Sequence, residues 1–223
     1  MFKRKNEFEK KSYSQSGEDV IVKYIFDCIG KQNPSYLDIG AHHPYYLSNS
    51  ALFYENGSRG VNVEPDPELF SAFQKNRRED VNLNIGISDI ECEADFYIMS
   101  RPTLNTFSKS DANEAGKEGN YSIKKTVKIP VSTIQKVIDN YCGGKCPDYI
   151  TIDAEGRDEA MIQGMDFNLN FPTVICVETL SFSTSGRGLK NLTLIDFIVE
   201  KGYLMYADTN INSIFVRRDV WEK

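Results

Sequence analysis

Two short segments of this chain carry residues suited to binding a nucleoside. Residues 36–44 read Tyr-Leu-Asp-Ile-Gly-Ala-His-His-Pro, and residues 61–65 read Val-Asn-Val-Glu-Pro. Each is an apolar run that reaches a carboxylate, Asp38 in the first and Glu64 in the second. Gly40, at the end of the first run, has no Cβ and lets a ligand approach the backbone closely. A carboxylate at the tip of the following strand suits the two hydroxyls of a ribose. A dinucleotide would need G-x-G-x-x-G to admit its pyrophosphate, whereas Gly40 is followed by Ala41, His42 and His43. The pattern therefore predicts a nucleoside without phosphates, with S-adenosylmethionine as the leading candidate.

Two further apolar runs end in Asp153 and Glu178. Ligands of open α/β sheets bind outside the carboxyl ends of the strands, so Asp38, Glu64, Asp153 and Glu178 are expected to line one crevice. Asp38 and Gly40 are assigned to the methionine end of the cofactor, with Asp153 beside it. Glu64 and the adjoining Pro65 are assigned to the ribose. Residues 86–89, Gly-Ile-Ser-Asp, would set Ile87 and Ser88 beside the adenine. Ser48, Asn49 and Ser50 open a helix whose first amides attract anions, and are expected to hold the methionine carboxylate.

The two histidines of the chain, His42 and His43, are neighbours at the mouth of this crevice. Methyl transfer from a sulfonium to oxygen is an in-line displacement at carbon, and a neutral hydroxyl is a weak nucleophile. An imidazole that takes the hydroxyl proton near neutral pH suits this chemistry, so either histidine is a candidate base, with Asp153 as a third catalytic candidate. Most of the remaining acceleration would come from holding oxygen, methyl and sulfur in line. Asp153 and Glu178, with a histidine nearby, would also suit a hard divalent cation such as Mg²⁺, which would lower the pKa of a bound hydroxyl. The same acids would equally bind polyol hydroxyls with no metal, and both readings stay open.

The elements that position these residues alternate. Helical spacing follows the polar cluster 14–19, which reads as a cap with acids in the first turn. Strands are expected over 35–39, 60–64, 81–87, 149–153 and 173–178, with helices over 49–55, 67–76, 133–141, 159–164 and 191–201 between them. An inserted strand over 94–99 would pair with one over 125–131. The segments 203–206 and 213–217 read as a closing antiparallel pair. Residues 101–121 are polar and aperiodic, the composition of a functional lid. Within such a lid, 100–124, Thr103, Asn105 and Thr106 are reasonable partners for acceptor hydroxyls, together with Glu155 and Glu178. The pattern predicts an α/β fold with a mainly parallel sheet and helices on both faces.

The chain has 223 residues, which bounds it to one domain with a small extension: a basic arm over 1–12, carrying Lys3, Arg4, Lys5, Lys10 and Lys11, and a domain over 13–223. A net charge of −6 argues against free nucleic acid as a partner. No apolar run reaches the length of a membrane span. Five irregularly placed cysteines argue for reduced thiols and a cytoplasmic protein, and Cys142 and Cys146 read as incidental to a turn.

Four of these motifs occur together and in order: 14–19 Ser-Gln-Ser-Gly-Glu-Asp; 38–44 Asp-Ile-Gly-Ala-His-His-Pro followed by Ser48-Asn49-Ser50; 60–65; and 152–156 Ile-Asp-Ala-Glu-Gly. Together they resemble the FkbM-type S-adenosylmethionine-dependent methyltransferases over nearly the whole chain. The resemblance implies a class I methyltransferase Rossmann-like fold with a mainly parallel seven-stranded sheet and a terminal antiparallel hairpin. It implies methyl transfer to a hydroxyl of a sugar or glycan precursor, in pathways for bacterial surface polysaccharides. It also places Gln15 over the cofactor or acceptor. Ala154 and Arg157 depart from the family's pattern and leave the acceptor open. The rival readings are a small phenol, polyketide or amine acceptor, and a cofactor-binding protein without turnover. The oligomeric state, homodimer included, is left open.

Overall fold

The structure, a computed structural model, describes residues 8–118, 121–154, 158–181 and 188–223. Lys3, Arg4 and Lys5 of the expected arm lie outside the described residues, as do Glu155 and Arg157. In chain order the elements are α1 (Glu18–Cys28), β1 (Tyr36–Ile39), α2 (Ala51–Glu55), β2 (Gly60–Val63), α3 (Pro67–Asn76), β3 (Val81–Leu83), β4 (Gly86–Ile87), β5 (Cys92–Met99), a 3-10 turn (Pro102–Leu104), α4 (Lys109–Glu118), β6 (Ile123–Ser132), α5 (Ile134–Tyr141), β7 (Tyr149–Ile152), α6 (Asp158–Gln163), β8 (Val174–Glu178), α7 (Leu192–Glu200), β9 (Tyr203–Asp208), β10 (Asn212–Arg217) and α8 (Arg218–Trp221).

Short apolar runs build a seven-stranded sheet in the order β3-β2-β1-β7-β8-β10-β9. Every pairing in it is parallel except the two made by β10, the closing hairpin strand. β1 and β7 are buried at every residue, as parallel strands covered on both faces are. Side chains alternate across the sheet. Leu37, Ile39, Val63, Ile150 and Ile152 meet α5, α6 and α7 on one face. Tyr36, Tyr149, Val174 and Cys176 meet α1 and α2 on the other.

The strand expected over 81–87 is two strands in two sheets. At the break, the Asn84 side-chain amide donates to the backbone carbonyls of Glu64 and Pro65 at 2.9 and 2.8 Å. β3 closes the edge of the main sheet, and β4 joins a three-stranded sheet ordered β4-β6-β5. Within it β5 and β6 form the expected antiparallel pair. The stretch 101–121, expected as an aperiodic loop, carries the 3-10 turn and α4. Ala112 and Ala115, three residues apart on α4, pack on Met99 of β5.

Acids occupy the first turn of α1 as expected, but the cap itself differs. Gly17 occupies the cap position with φ 90° and no side-chain capping bond, and Glu18 and Asp19 are fully buried. Asp19 accepts from the Ser12 and Ser14 hydroxyls and from the Tyr13 amide. Glu18 accepts from the Ser16 amide, the Thr209 hydroxyl and the Asn212 amide. These acids fasten 12–17 to the body of the protein, and so set Gln15 in place.

Candidate active site

Strand register brings five residues into one row at the carboxyl edge of the main sheet. Ile39 is level with Val63 on one side and Ile152 on the other, and Ile152 with Val177. The next residues along, Glu64, Gly40, Asp153 and Glu178, therefore stand side by side, and Asn212 of β10 pairs with Glu178. All five line a cavity of about 280 Å³. Gln15, His42 and Asn49 close one side of it, Pro65, Leu69 and Ile87 another, and Thr103 to Phe107 of the insertion form its roof.

Of the residues expected at the site, Gln15, Gly40, His42, Asn49, Glu64, Pro65, Ile87, Thr103, Asn105, Thr106, Asp153 and Glu178 line this cavity. Asp38, His43, Ser48, Ser50 and Ser88 do not. Asp38 lies one residue short of the strand tip, on the face it shares with Tyr36, so it points under α2. There its carboxylate accepts from the Ser50 hydroxyl. Ser48 turns inward as well, and its hydroxyl accepts from the Ala51 amide at the start of α2. The His43 Nδ1 accepts from the amides of Tyr45 and Tyr46 at 3.2 and 3.1 Å, which fixes the turn and occupies that nitrogen. Ser88 donates outward to Asp89. Asn105 lines the cavity, but both ends of its amide are engaged within the protein: Oδ1 accepts from the Met99 amide and Nδ2 donates to Asp66 Oδ2, each at 2.8 Å. The Thr106 hydroxyl accepts from the Ser108 amide. Glu155 lies outside the described residues.

The row is rich in hydrogen-bond acceptors. Glu64 is 5% exposed. Its two carboxylate oxygens accept from the Asp66 and His42 amides, each at 2.7 Å. An ionised carboxylate accepts about four donors, so capacity remains for ribose hydroxyls. Burial outweighs the two amides and pushes the Glu64 carboxyl up to about 8. Burial, reinforced by the neighbouring Asp158 carboxylate, pushes Asp153 up to about 7, against a hydrogen bond with Glu178 that pulls it down. Asn212 donates to Glu18 through Nδ2 while its buried Oδ1 has no partner among the described residues. Burial pushes the His42 imidazole below its ordinary value, with His43 adding to the effect and Asp66 opposing it. Among the described residues no group of three or more His, Cys, Asp or Glu side chains is placed to hold a metal ion.

Behind the crevice lies a buried ion pair that nothing in the spacing of residues foretells. Arg77 is fully buried and binds Asp80 at 2.9 Å, the Tyr36 hydroxyl at 2.7 Å and the Pro44 carbonyl at 3.2 Å. It also reaches the Ser50 hydroxyl that serves Asp38. Asp80 in turn takes the Asn62 amide and the Gly60 backbone N–H. The network ties β1, β2, α2 and the end of α3 together, directly below the strand tips that carry Gly40 and Glu64.

A family model, the methyltransferase FkbM domain, matches residues 38–205. No curated protein matches the chain. Among solved structures, a candidate caffeoyl-CoA O-methyltransferase from Staphylococcus aureus is similar at a TM-score of 0.50 and 11% identity, with 89% of this chain and 82% of that one covered. A TehB-like S-adenosylmethionine-dependent methyltransferase from Corynebacterium glutamicum is similar at 0.45 and 10% identity, covering 90% and 87%. A precorrin-6y C5,15-methyltransferase from Geobacter metallireducens is similar at 0.45 and 13% identity, covering 88% and 87%. At that identity the likeness to the Staphylococcus aureus protein concerns the fold alone, which is the class I methyltransferase arrangement.

Proposed function

The chain belongs to the FkbM methyltransferase family, and from that premise we propose that it methylates a hydroxyl of a sugar or glycan precursor, within the assembly of a bacterial surface polysaccharide. The family makes it an S-adenosylmethionine-dependent methyltransferase. When bound, that cofactor supplies an electrophilic methyl group on sulfur. The chain's residues suit it: Glu64 keeps unused acceptor capacity at a strand tip, and Gly40 beside it presents no side chain.

The observation that carries the choice of acceptor is the row Glu64–Gly40–Asp153–Glu178–Asn212. Glu64 on one side of Gly40 would take the ribose. On the other side stand the Asp153 and Glu178 carboxyls and the Asn212 side chain, polar groups that line the cavity. A polyol supplies hydrogen-bond donors for such groups. In this reading the Asp153 carboxylate takes the proton of the acceptor hydroxyl near neutral pH. Glu178 and Thr103 bind neighbouring hydroxyls. The roof excludes water, and His42 fixes Glu64 through its backbone amide. Among the described residues Asp153 and Glu178 are joined by no third His, Cys, Asp or Glu in a metal-binding group.

The test is a methyl-transfer screen with labelled cofactor over nucleotide sugars, polysaccharide precursors, small phenols and amines. Turnover on a polyol supports the reading. Turnover confined to phenols or amines overturns it, as does S-adenosylhomocysteine binding without turnover on any of them.

A further inference from the structure

The roof of the cavity belongs to an insertion, yet it is fixed at three points. Tyr97 and Thr106 exchange backbone hydrogen bonds at 2.9 and 3.2 Å, bending the segment back on β5. The Phe107 ring lies so close over Gly86 that a Cβ there would stand 2.4 Å from it. The third point joins the roof to the half of the cavity that carries Glu64. Asn105, 7% exposed, donates to Asp66 Oδ2 and accepts from the Met99 amide. Asp66, 3% exposed, uses its other oxygen to cap α3, accepting from Glu68 and Leu69, while its own amide donates to Glu64. One unbroken chain of hydrogen bonds thus runs from the Glu64 carboxylate to the roof.

We infer that Asn105 is a positioning residue, which bolts the roof of the cavity to the start of α3 and so holds a preformed wall over the nucleoside end. This rests on the reading of the cavity as the cofactor site. Asn105 then acts through Asp66 rather than on the acceptor. The bond is directional: an amide faces a carboxylate, and each partner's other atom is committed elsewhere. Neither residue can turn over without losing the α3 cap or the Met99 bond.

That directionality supplies the test. Asp66→Asn alone opposes two amides, and Asn105→Asp alone opposes two carboxylates. The double variant Asp66→Asn with Asn105→Asp restores amide against carboxylate in the reverse sense, and asparagine keeps the α3 cap. Affinity for S-adenosylhomocysteine is measured by calorimetry, and amide exchange over 97–107 is measured without ligand. Each single variant is expected to weaken binding about tenfold and to speed exchange, as befits a buried charged hydrogen bond. The double variant is expected to recover both. Single variants that behave as wild type, or a double variant no better than either single one, overturn the inference. If the wild type binds no S-adenosylhomocysteine, the cofactor reading fails, and exchange alone decides the clamp: recovery in the double variant supports it, and none refutes it.

Discussion

A Cβ on Gly40 would stand 1.8 Å from the backbone carbonyl oxygen of Asp153. Gly40 also has φ 76°, in the left-handed region that side chains disfavour. The glycine is therefore required by the neighbouring strand, whatever a ligand needs. Gly40→Ala is expected to destabilise the protein by at least about 2 kcal/mol, read as a lower urea midpoint. A midpoint equal to wild type would refute the contact.

Glu64 should make cofactor binding depend on pH. Its carboxyl, held up near 8 by burial, is largely protonated at neutral pH in the free protein. Donating hydroxyls favour the ionised form, so binding releases a proton and affinity rises with pH up to about 8, by at most about tenfold per unit. Calorimetry of S-adenosylhomocysteine binding in buffers of different ionisation enthalpy reads that proton. Glu64→Gln should weaken binding by about 1–3 kcal/mol and abolish the proton release.

The ligand-free fold should be most stable in mild acid. Burial pushes Asp38 to about 6, Asp153 to about 7 and Glu64 to about 8. An acid whose folded pKa is raised favours folding below its unfolded value and loses that contribution as pH climbs through the folded value. Glu18 and Asp148 are shifted down by their hydrogen bonds and work in the opposite sense, losing their contribution as pH falls below the usual carboxylate range. The melting temperature should therefore fall from pH 5.5 to 8.5. A steady rise over that interval would contradict the burial of these three acids.

Replacing the proposed base separates chemistry from binding. Asp153→Asn should lower kcat by about a hundredfold or more while S-adenosylhomocysteine affinity changes little. His43→Ala, which removes an acceptor for two turn amides, should lower stability more than it lowers kcat. If His42→Ala costs more in kcat than Asp153→Asn, the base is the imidazole.

Arg77 offers a test of the layer beneath the site. Removing one partner of a buried ion pair leaves the other uncompensated, so Arg77→Met should destabilise the protein by about 3–5 kcal/mol. Denaturant unfolding measures it. A loss below about 1 kcal/mol, the range of a surface pair, would show that the guanidinium is not buried.

Much of this arrangement could be read from the chain because parallel strands are short, apolar and punctuated. Glu64, Asp153 and Glu178 each adjoin or close such a run, and register alone places them in line with Gly40. Asp38 misled for a related reason: it looks like a strand end, yet Ile39 still belongs to β1 and period two turns Asp38 under α2. Helix α4 escaped notice because it buries little beyond Ala112 and Ala115 and is otherwise polar. The division of 81–87 depends on the Asn84 side chain reaching back to the tip of β2, a contact distant in sequence. Nothing local distinguishes Arg77, fully buried, from Arg78 beside it, which is exposed.

The stems of the insertion leave the main body side by side, since β4 and β6 run parallel with Gly86 level with Val131 and Ile87 with Ser132. A segment rooted this way tolerates changes of length and sequence beyond its roots without shearing the seven-stranded sheet. Replacing the segment beyond these roots would change the roof while Gly40, Glu64 and Ile87 stay in place. For engineering, the stretch between Ile87 and Val131 is the natural graft, provided the incoming piece keeps an amide to meet Asp66.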